Sequence, residues 1–269
     1  MKRIKIMFSV LLCAMLLSSC GYFENRTNNS DSEVERALVK LLTCDNYSSE
    51  RITEITRDGQ AKGSEIKMES VIFHNPYKAR IIALSPETND KGISYEIEKN
   101  GYIEEKTIYQ YANGDKEELD PRIVDIQSVT EEFIIRQLKN YLVSEEFIED
   151  VEGVKKYKVT TNAYPFIGLF GFSIEKNNLA TRIFVDEYKA CNGYVYINSK
   201  TNDIIKIEFD LSEKSKLTSK INQRIIEEEA PFEEIYEFDI LKITISISNI
   251  NDDSPEVEEI RKEIDNEMQ

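Results

Sequence analysis

Short segments of the chain alternate between apolar and polar residues with a period of two, which is typical of strands with one buried face. The alternation is clearest in residues 93–97, 205–209 and 241–247. Each of these segments contains isoleucines, and charged or hydroxyl side chains stand between the apolar ones. We therefore predict an antiparallel sheet, with strands bounded by turn dipeptides such as Asn75-Pro76, Asn100-Gly101, Asn113-Gly114 and Asn192-Gly193.

Four other segments have apolar residues at helical spacing, and each forms a single stripe. Ser32 with Glu35 and Ser128 with Glu131 are capping-box pairs, and Ser254-Pro255 is a favourable helix start. The stripes consist of Val34, Leu38, Leu41 and Leu42; Ile134, Leu138, Tyr141 and Leu142; Leu217, Ile221 and Ile225; and Val257, Ile260 and Ile264. A helix with one stripe must bury it against another layer. The predicted fold class is α+β: a single strongly curved antiparallel sheet, a half-barrel, with helices packed on its concave face.

The first twenty residues have the pattern of a bacterial lipoprotein signal. A basic head, residues 1–5, precedes an apolar run from 6 to 17 and then Ser18, Ser19 and Cys20. The run is too short for a durable transmembrane helix, and small residues before a cysteine favour cleavage there. We predict that residues 1–19 are removed and that Cys20 becomes the N-terminus. The alternative is a secretory signal with an incidental cysteine.

Similarity to bacterial lipoproteins implies a diacylglycerol on the Cys20 sulfur, and two acyl chains are enough for stable anchoring. Residues 20–32 are polar and unpatterned, so we predict a flexible tether followed by one domain, 33–269. The composition is rich in lysine, isoleucine, glutamate and asparagine, which suggests a low-GC bacterium. The expected location is the extracytoplasmic face of the cell membrane, at a Gram-positive cell surface.

The chain carries a formal net charge of −16, and loss of the signal, with three basic residues and no acidic ones, changes this to −19. Such a charge repels nucleic acid, because basic residues are interleaved with acidic ones throughout. It also opposes adsorption to anionic lipid, so we expect membrane contact through the N-terminal lipid alone.

Few residues suit catalysis. His74 is the single histidine, and the chain has no motif of a hydrolase triad, a zinc protease or a phosphate loop. We predict that His74 caps a strand and that the protein is not an enzyme. No cofactor and no metal site are expected, since the acidic clusters lack the ligand spacing of a calcium loop.

Once Cys13 leaves with the signal and Cys20 carries the lipid, two cysteines remain as thiols. Cys44 and Cys191 either form a disulfide or stay as two buried thiols, and their spacing leaves both alternatives open.

The segment 164–172 is the best candidate binding site. Its five large apolar residues surround two glycines without a clear period, and they are Phe166, Ile167, Leu169, Phe170 and Phe172. One interpretation is a mobile lid over a lipid cavity or a patch that touches a partner. The other is an irregular core segment that seals the sheet, because such side chains are costly to expose.

The order of these parts resembles LolA-like lipoproteins, a superfamily that includes LolA and the mycobacterial LppX and LprG lipoproteins. The matching segments are RITEITRDGQAKGSEIKMESVIFHNPYKARIIALSPE, with a proline turn followed by a basic residue, the hairpin ISYEIEKNGYIEEKTIYQYANGD, and the strand-turn-strand GYVYINSKTNDIIKIEFD. The resemblance covers roughly residues 33–250 at the level of pattern. It implies a half-barrel with a hydrophobic cavity that holds acyl chains in relatives. The insert at 120–150 and the acidic segment at 227–229 match no feature of that family.

Two functions follow as hypotheses. In the first, an anchored surface lipoprotein binds a hydrophobic, lipid-like ligand between the concave face and the segment 164–172. In the second, the protein is an interaction module with a filled core, whose acidic surface engages a surface protein or cell-wall partner.

Overall fold

The computed structural model describes residues 32–56, 64–84, 89–99, 102–110, 116–119, 131–170, 179–188, 190–212, 218–227 and 240–267. Its strands form one open antiparallel sheet of eleven strands, in the order β6-β5-β4-β3-β2-β1-β11-β10-β9-β8-β7. The strands are β1 Asn46–Thr56, β2 Ser64–His74, β3 Tyr77–Leu84, β4 Asn89–Lys99, β5 Tyr102–Gln110, β6 Lys116–Leu119, β7 Leu142–Val151, β8 Val154–Thr161, β9 Cys191–Asn198, β10 Ile204–Asp210 and β11 Ile240–Ser248. The first and last strands of the domain, β1 and β11, therefore pair at the middle of the sheet.

The described helices are α1 Glu33–Leu42, α2 Glu131–Tyr141, α3 Leu179–Glu187, α4 Thr218–Glu227 and α5 Pro255–Glu267, with a 3-10 helix at Tyr164–Phe170. Four of them coincide with the four stripes predicted from the sequence, except that Leu142 of the second stripe begins β7. Leu217 of the third stripe lies outside the described residues. The helix α3 was not predicted. The architecture confirms the expected α+β half-barrel with helices against the sheet.

The main core lies between the sheet and the helices α1 to α4, on what we call the inner face. In β11 the residues Leu241, Ile243, Ile245 and Ile247 are buried in this core, whereas the residues between them are more exposed. Their period of two confirms the predicted alternation. From α1, the same core receives the buried residues Val34, Ala37, Leu38 and Leu41.

The last helix, α5, packs on the other side of the sheet. Val71 and Phe73 of β2 contact Val257, Ile260 and Ile264 in a second, smaller cluster. Ile72 lies between them in the chain and belongs to the main core. Since neighbouring residues of a strand point to opposite faces, α5 covers the outer face of the sheet.

Three details of the sequence prediction are wrong. The helices were all predicted on the concave face, but α5 packs on the outer face. Asn192-Gly193 was predicted as a turn but lies inside β9, where Gly193 pairs with Val159 on one side and with Phe209 on the other. A bulge between Ile204 and Lys206 shifts the register of β10. Ile204 is consequently buried in place of Ile205.

The tight turn between β7 and β8 lies at Glu152 and Gly153, with φ values of 54° and 82°. Positive φ at both central residues matches the right-handed twist of a hairpin. This hairpin begins within the insert at 120–150 and continues to Thr161. The sequence pattern predicted no strand there.

Candidate functional site

The candidate segment begins with the 3-10 helix Tyr164–Phe170. Phe166 and Ile167 are fully buried, and Leu169 is half-buried against the main core. The side chain of Phe170 and the whole of Phe172 lie outside the described residues. Two of the five candidate residues are therefore core residues in the structure.

Aromatic contacts hold this segment against the sheet and against α2. The Phe166 ring lies 4.7 Å from the Phe209 ring of β10, measured between centroids. The Tyr164 ring lies 5.0 Å from Tyr141 and 6.2 Å from Phe133, both on α2. The described part of the segment thus fills the inner face with its own side chains, as in the core interpretation. A role in ligand binding stays a prediction.

Cys44 and Cys191 are both buried, and the structure holds each as a thiol. The Cys44 Sγ atom lies 3.0 Å from the Leu41 carbonyl oxygen and 3.3 Å from that of Asn46. These contacts let the thiol donate to a backbone carbonyl at the end of α1.

The inner face also contains a buried polar cluster where α2 begins over β1 and β2. Glu131 and Glu132, the first two residues of α2, are 0% exposed. The carboxylate of Glu131 accepts hydrogen bonds from Ser49, and from Ser70 at 3.1 Å. From the sequence, Glu131 was predicted only as a capping residue. Its contacts with Ser49 and Ser70 could not be predicted from the sequence, because both serines lie far from it in the chain.

His74 joins the same cluster from the end of β2, where the sequence predicted a strand cap. Its Nδ1 donates to the Cys44 carbonyl oxygen at 2.6 Å, and its Nε2 lies 3.5 Å from Glu132 Oε2. Burial by itself lowers the pKa of His74, but the contacts with Cys44 and Glu132 outweigh it and raise the pKa to about 10. The imidazole is therefore charged at neutral pH, and Glu132 lies between two cations, His74 and Arg136.

This arrangement is suited to holding α2 on the sheet rather than to acid-base chemistry. A charged imidazole whose two nitrogens face Cys44 and Glu132 has no lone pair for a general base. Burial also raises the pKa of the Tyr47 phenol well above its usual range, with Glu132 and Glu131 adding to the effect. In the described ranges no group of three or more metal-binding side chains lies together.

The outer face has two shallow cavities beside α5. One, of about 570 Å³, is lined by Arg80 and by α5 residues that include Glu259 and Ile260. The other, of about 370 Å³, lies between α5 and the central strands and is lined by residues such as Glu50 and Ser246. Both cavities are lined largely by polar side chains, and the ion pair of Arg80 with Glu263 crosses this region.

Strand β7 has the most apolar exposed surface among the strands whose side chains the structure describes. Four large apolar side chains are exposed along its ten residues: Val143 by 68%, Phe147 by 53%, Ile148 by 43% and Val151 by 54%. Several large apolar side chains exposed on one short strand are less common than single ones and mark a candidate interaction site. No strand was predicted over these residues, so this surface carried no signal in the sequence.

The strand β7 also fixes the start of α1. The Glu145 carboxylate accepts hydrogen bonds from the backbone nitrogens of Glu33, at 2.9 Å, and Val34, at 3.2 Å. Glu33 in turn accepts from Tyr157 and pairs with Lys155, both on β8. The hydrogen bond with Lys155, and then that with Tyr157, lowers the pKa of Glu33.

No family model and no curated protein matches the chain. Among the described residues, no helix is long and apolar enough to cross a membrane.

Solved structures of similar fold include the lipoprotein LppX of Mycobacterium tuberculosis, at 11% identity and a TM-score of 0.37, over 82% of this chain and 94% of that one. LprF of Mycobacterium bovis follows at 10% identity and a TM-score of 0.36, over 81% and 93%. An outer membrane lipoprotein-sorting domain of Vibrio parahaemolyticus has 9% identity and a TM-score of 0.31, over 86% and 99%. LppX is also one of the lipoproteins that the sequence pattern resembles.

Proposed function

We propose that this protein is a lipid-anchored, extracytoplasmic protein that acts by binding rather than by catalysis. The signal pattern that ends at Cys20 supports the anchor, with residues 1–19 removed and 20–32 as the tether. The hydrogen bond of His74 Nδ1 with Cys44 and the ion pair of Nε2 with Glu132 support a role without catalysis. No cofactor is part of this proposal.

Of the two binding modes, we favour interaction with a protein at the cell surface. The observation that carries this choice is the distribution of large apolar side chains. Phe166 and Ile167 are buried in the core, whereas Phe147 and Val151 of β7 are exposed. A covered β7 would remove that apolar surface from water, at about 25 cal/mol per Å².

Crosslinking on intact cells tests the interaction. A photoreactive amino acid replaces Phe147 in the full chain, and in a control it replaces Ile226 of α4, which is 75% exposed. We expect a discrete protein adduct from position 147 and none from position 226. Equal adduct patterns at the two positions would contradict a partner site on β7.

A hydrophobic, lipid-like ligand is the second candidate, and the half-buried Leu169 supports it. This residue lies at the end of the 3-10 helix and packs against the core without being enclosed by it. An apolar ligand between this helix and the sheet would contact it. Organic extraction of the purified full chain and of a Leu169→Asp variant tests this mode. A stoichiometric lipid in the first that is absent from the second is the expected result, and equal lipid content in both would refute the pocket.

A further inference from the structure

The strand β7 is the last strand of the sheet order, and β8 is its one neighbour among the described strands. Along its other edge no described strand takes up the backbone N–H and C=O groups. Such an edge is a template for pairing with another extended segment.

The side chains of β7 combine apolar and acidic character. Besides the four exposed apolar residues, Glu146, Glu149 and Asp150 are exposed, and the strand contains no basic residue. A segment that pairs with β7 must therefore offer both apolar contacts and positive charge.

Within the described part of the chain, β8, the neighbour of β7 in the sheet, meets these requirements. In the β7–β8 register, Lys158 lies opposite Glu146, Lys156 opposite Glu149, and Lys155 opposite Asp150. Tyr157 lies opposite Phe147, with their ring centroids 5.5 Å apart. Opposite charges and aromatic pairs across strands each stabilise a sheet. The open side of β7 offers the same acidic and apolar residues to a second strand.

A second copy of this chain fits the edge poorly. Pairing β7 with β7 would bring the acidic side chains of both copies into one ribbon, and like charges directly opposite each other are destabilising. The charge of −16 on the whole chain adds to that repulsion.

We propose that the open edge of β7 binds an extended segment of a partner protein that is rich in lysine or arginine and alternates with apolar residues. This inference rests on the proposed function as a protein-interaction module, and it names the partner's chemistry and the mode of binding. Backbone pairing gives affinity, and the alternate side chains of the segment give specificity.

A peptide with the β8 sequence, Val-Lys-Lys-Tyr-Lys-Val-Thr-Thr, is the probe for this site. Its binding to the full chain in detergent micelles is followed by fluorescence anisotropy. We expect saturable binding that weakens with added salt. The variant Glu146→Gln with Glu149→Gln removes two negative charges. Unlike a change to lysine, it places no positive charge opposite the lysines of β8. We expect the variant to bind the peptide about fivefold more weakly. The matched control, Glu256→Gln with Glu259→Gln on the exposed surface of α5, should leave binding unchanged.

Two control peptides separate strand addition from simple charge attraction. One replaces the three lysines by glutamates, and the other keeps the lysines but is N-methylated at alternate backbone nitrogens. We expect neither to bind. Equal binding of the N-methylated peptide, or unchanged binding to the β7 variant, would overturn the inference.

The outcomes also separate this inference from the proposed function. If position 147 crosslinks to a protein in cells but the β8 peptide does not bind, the partner's chemistry is wrong and the interaction function stands. If position 147 gives no protein crosslink and the β8 peptide does not bind, the interaction function and the inference about the partner both fail. A dimer of the full chain that depends on β7, or crosslinking of position 147 to lipid alone, would also overturn the inference.

Discussion

His74 and Glu132 are the pair of side chains on which the inner polar cluster depends. The Glu132 carboxylate is completely buried, and its cationic neighbours are His74 and Arg136. Removing His74 leaves the buried Glu132 carboxylate with Arg136 alone, which is more costly than removing the carboxylate charge and His74 together.

We expect His74→Gln to lower the free energy of unfolding by about 3 kcal/mol. The double variant His74→Gln with Glu132→Gln should lose less than the sum of the two single variants, because it removes the buried charge together with its partner. Urea denaturation of the four proteins measures this. Additive losses would show that the two residues do not interact.

The His74 pair also predicts a pH dependence. The folded pKa is about 10 against an ordinary value of 6.5, so the stabilisation is fully present below pH 6.5. The stabilisation is then lost as the pH rises towards 10. Between these pH values the imidazole is protonated in the folded state and neutral in the unfolded state, so each rise in pH favours unfolding. The difference in stability between wild type and His74→Gln should therefore shrink over this range in denaturation curves. A constant difference from pH 6 to 10 would contradict a charged His74.

Gly193 occupies a position without room for a side chain. A Cβ atom there would lie 2.3 Å from the Glu208 carbonyl oxygen and 2.5 Å from the Phe209 ring. We expect Gly193→Ala to destabilise the protein by about 2 kcal/mol or more, since the obstacle includes backbone. The control is Gly153→Ala, where space is open but φ is 82°, and a loss of about 1 kcal/mol is expected. Thermal unfolding measures the stability of both variants. Equal losses of stability would contradict the close approach of Glu208 and Phe209 to Gly193.

The position of His74 at the end of a strand followed from the sequence, but its partners did not. Glu132 lies far from His74 in the chain, and the two meet because the first residues of α2 contact β1 and β2. A capping pattern predicts where a helix begins, whereas the strand against which it packs is decided by the whole core.

The helix α1 and the strand β7 are joined by the cap that Glu145 provides. A carboxylate at a helix start satisfies free N–H groups and interacts favourably with the helix dipole. We expect Glu145→Ala to lower the free energy of unfolding by about 1 kcal/mol. The neighbouring Glu146→Ala, at an exposed position, should change it by less than about 0.5 kcal/mol. Chemical denaturation compares the two, and equal effects would contradict the cap.

The helices α1, α2, α4 and α5 could be predicted because each combines a single apolar stripe with a spacing of 3.6, and capping pairs mark most of their starts. The strand β7 could not, because register shifts between Leu142 and Ser144 and between Phe147 and Glu149 break its period of two. Its apolar residues also face the surface rather than the core. The surface on which the proposed interaction rests is thus the part that a search for buried strands misses.

The domain as a whole separates its two faces by chemistry. The inner face carries the main core and the buried polar cluster, and the outer face carries α5 with ion pairs such as that between Lys78 and Asp265. The alternation of apolar and polar residues in strands such as β11 made it possible to predict a sheet with one buried face. The position of α5 on the other face could not be predicted. One apolar stripe shows that a helix packs, but not on which face.

The anchor predicts the behaviour of the whole molecule in the cell. We expect Cys20→Ala to abolish incorporation of labelled palmitate and to move the protein out of the washed membrane fraction, because the acyl chains are its proposed membrane contact. A Cys44→Ala variant, which changes a buried thiol instead, is the control and should stay labelled. Membrane retention of the Cys20→Ala protein would contradict the lipid anchor.

The native mass spectrum of the full chain, released gently from the membranes of the producing cell, tests most directly whether this protein binds a protein partner. We expect a complex of the chain with a second protein, and no lipid besides the anchor on Cys20. A single chain that carries a stoichiometric acyl ligand in addition to its anchor would contradict it and establish the hydrophobic pocket instead.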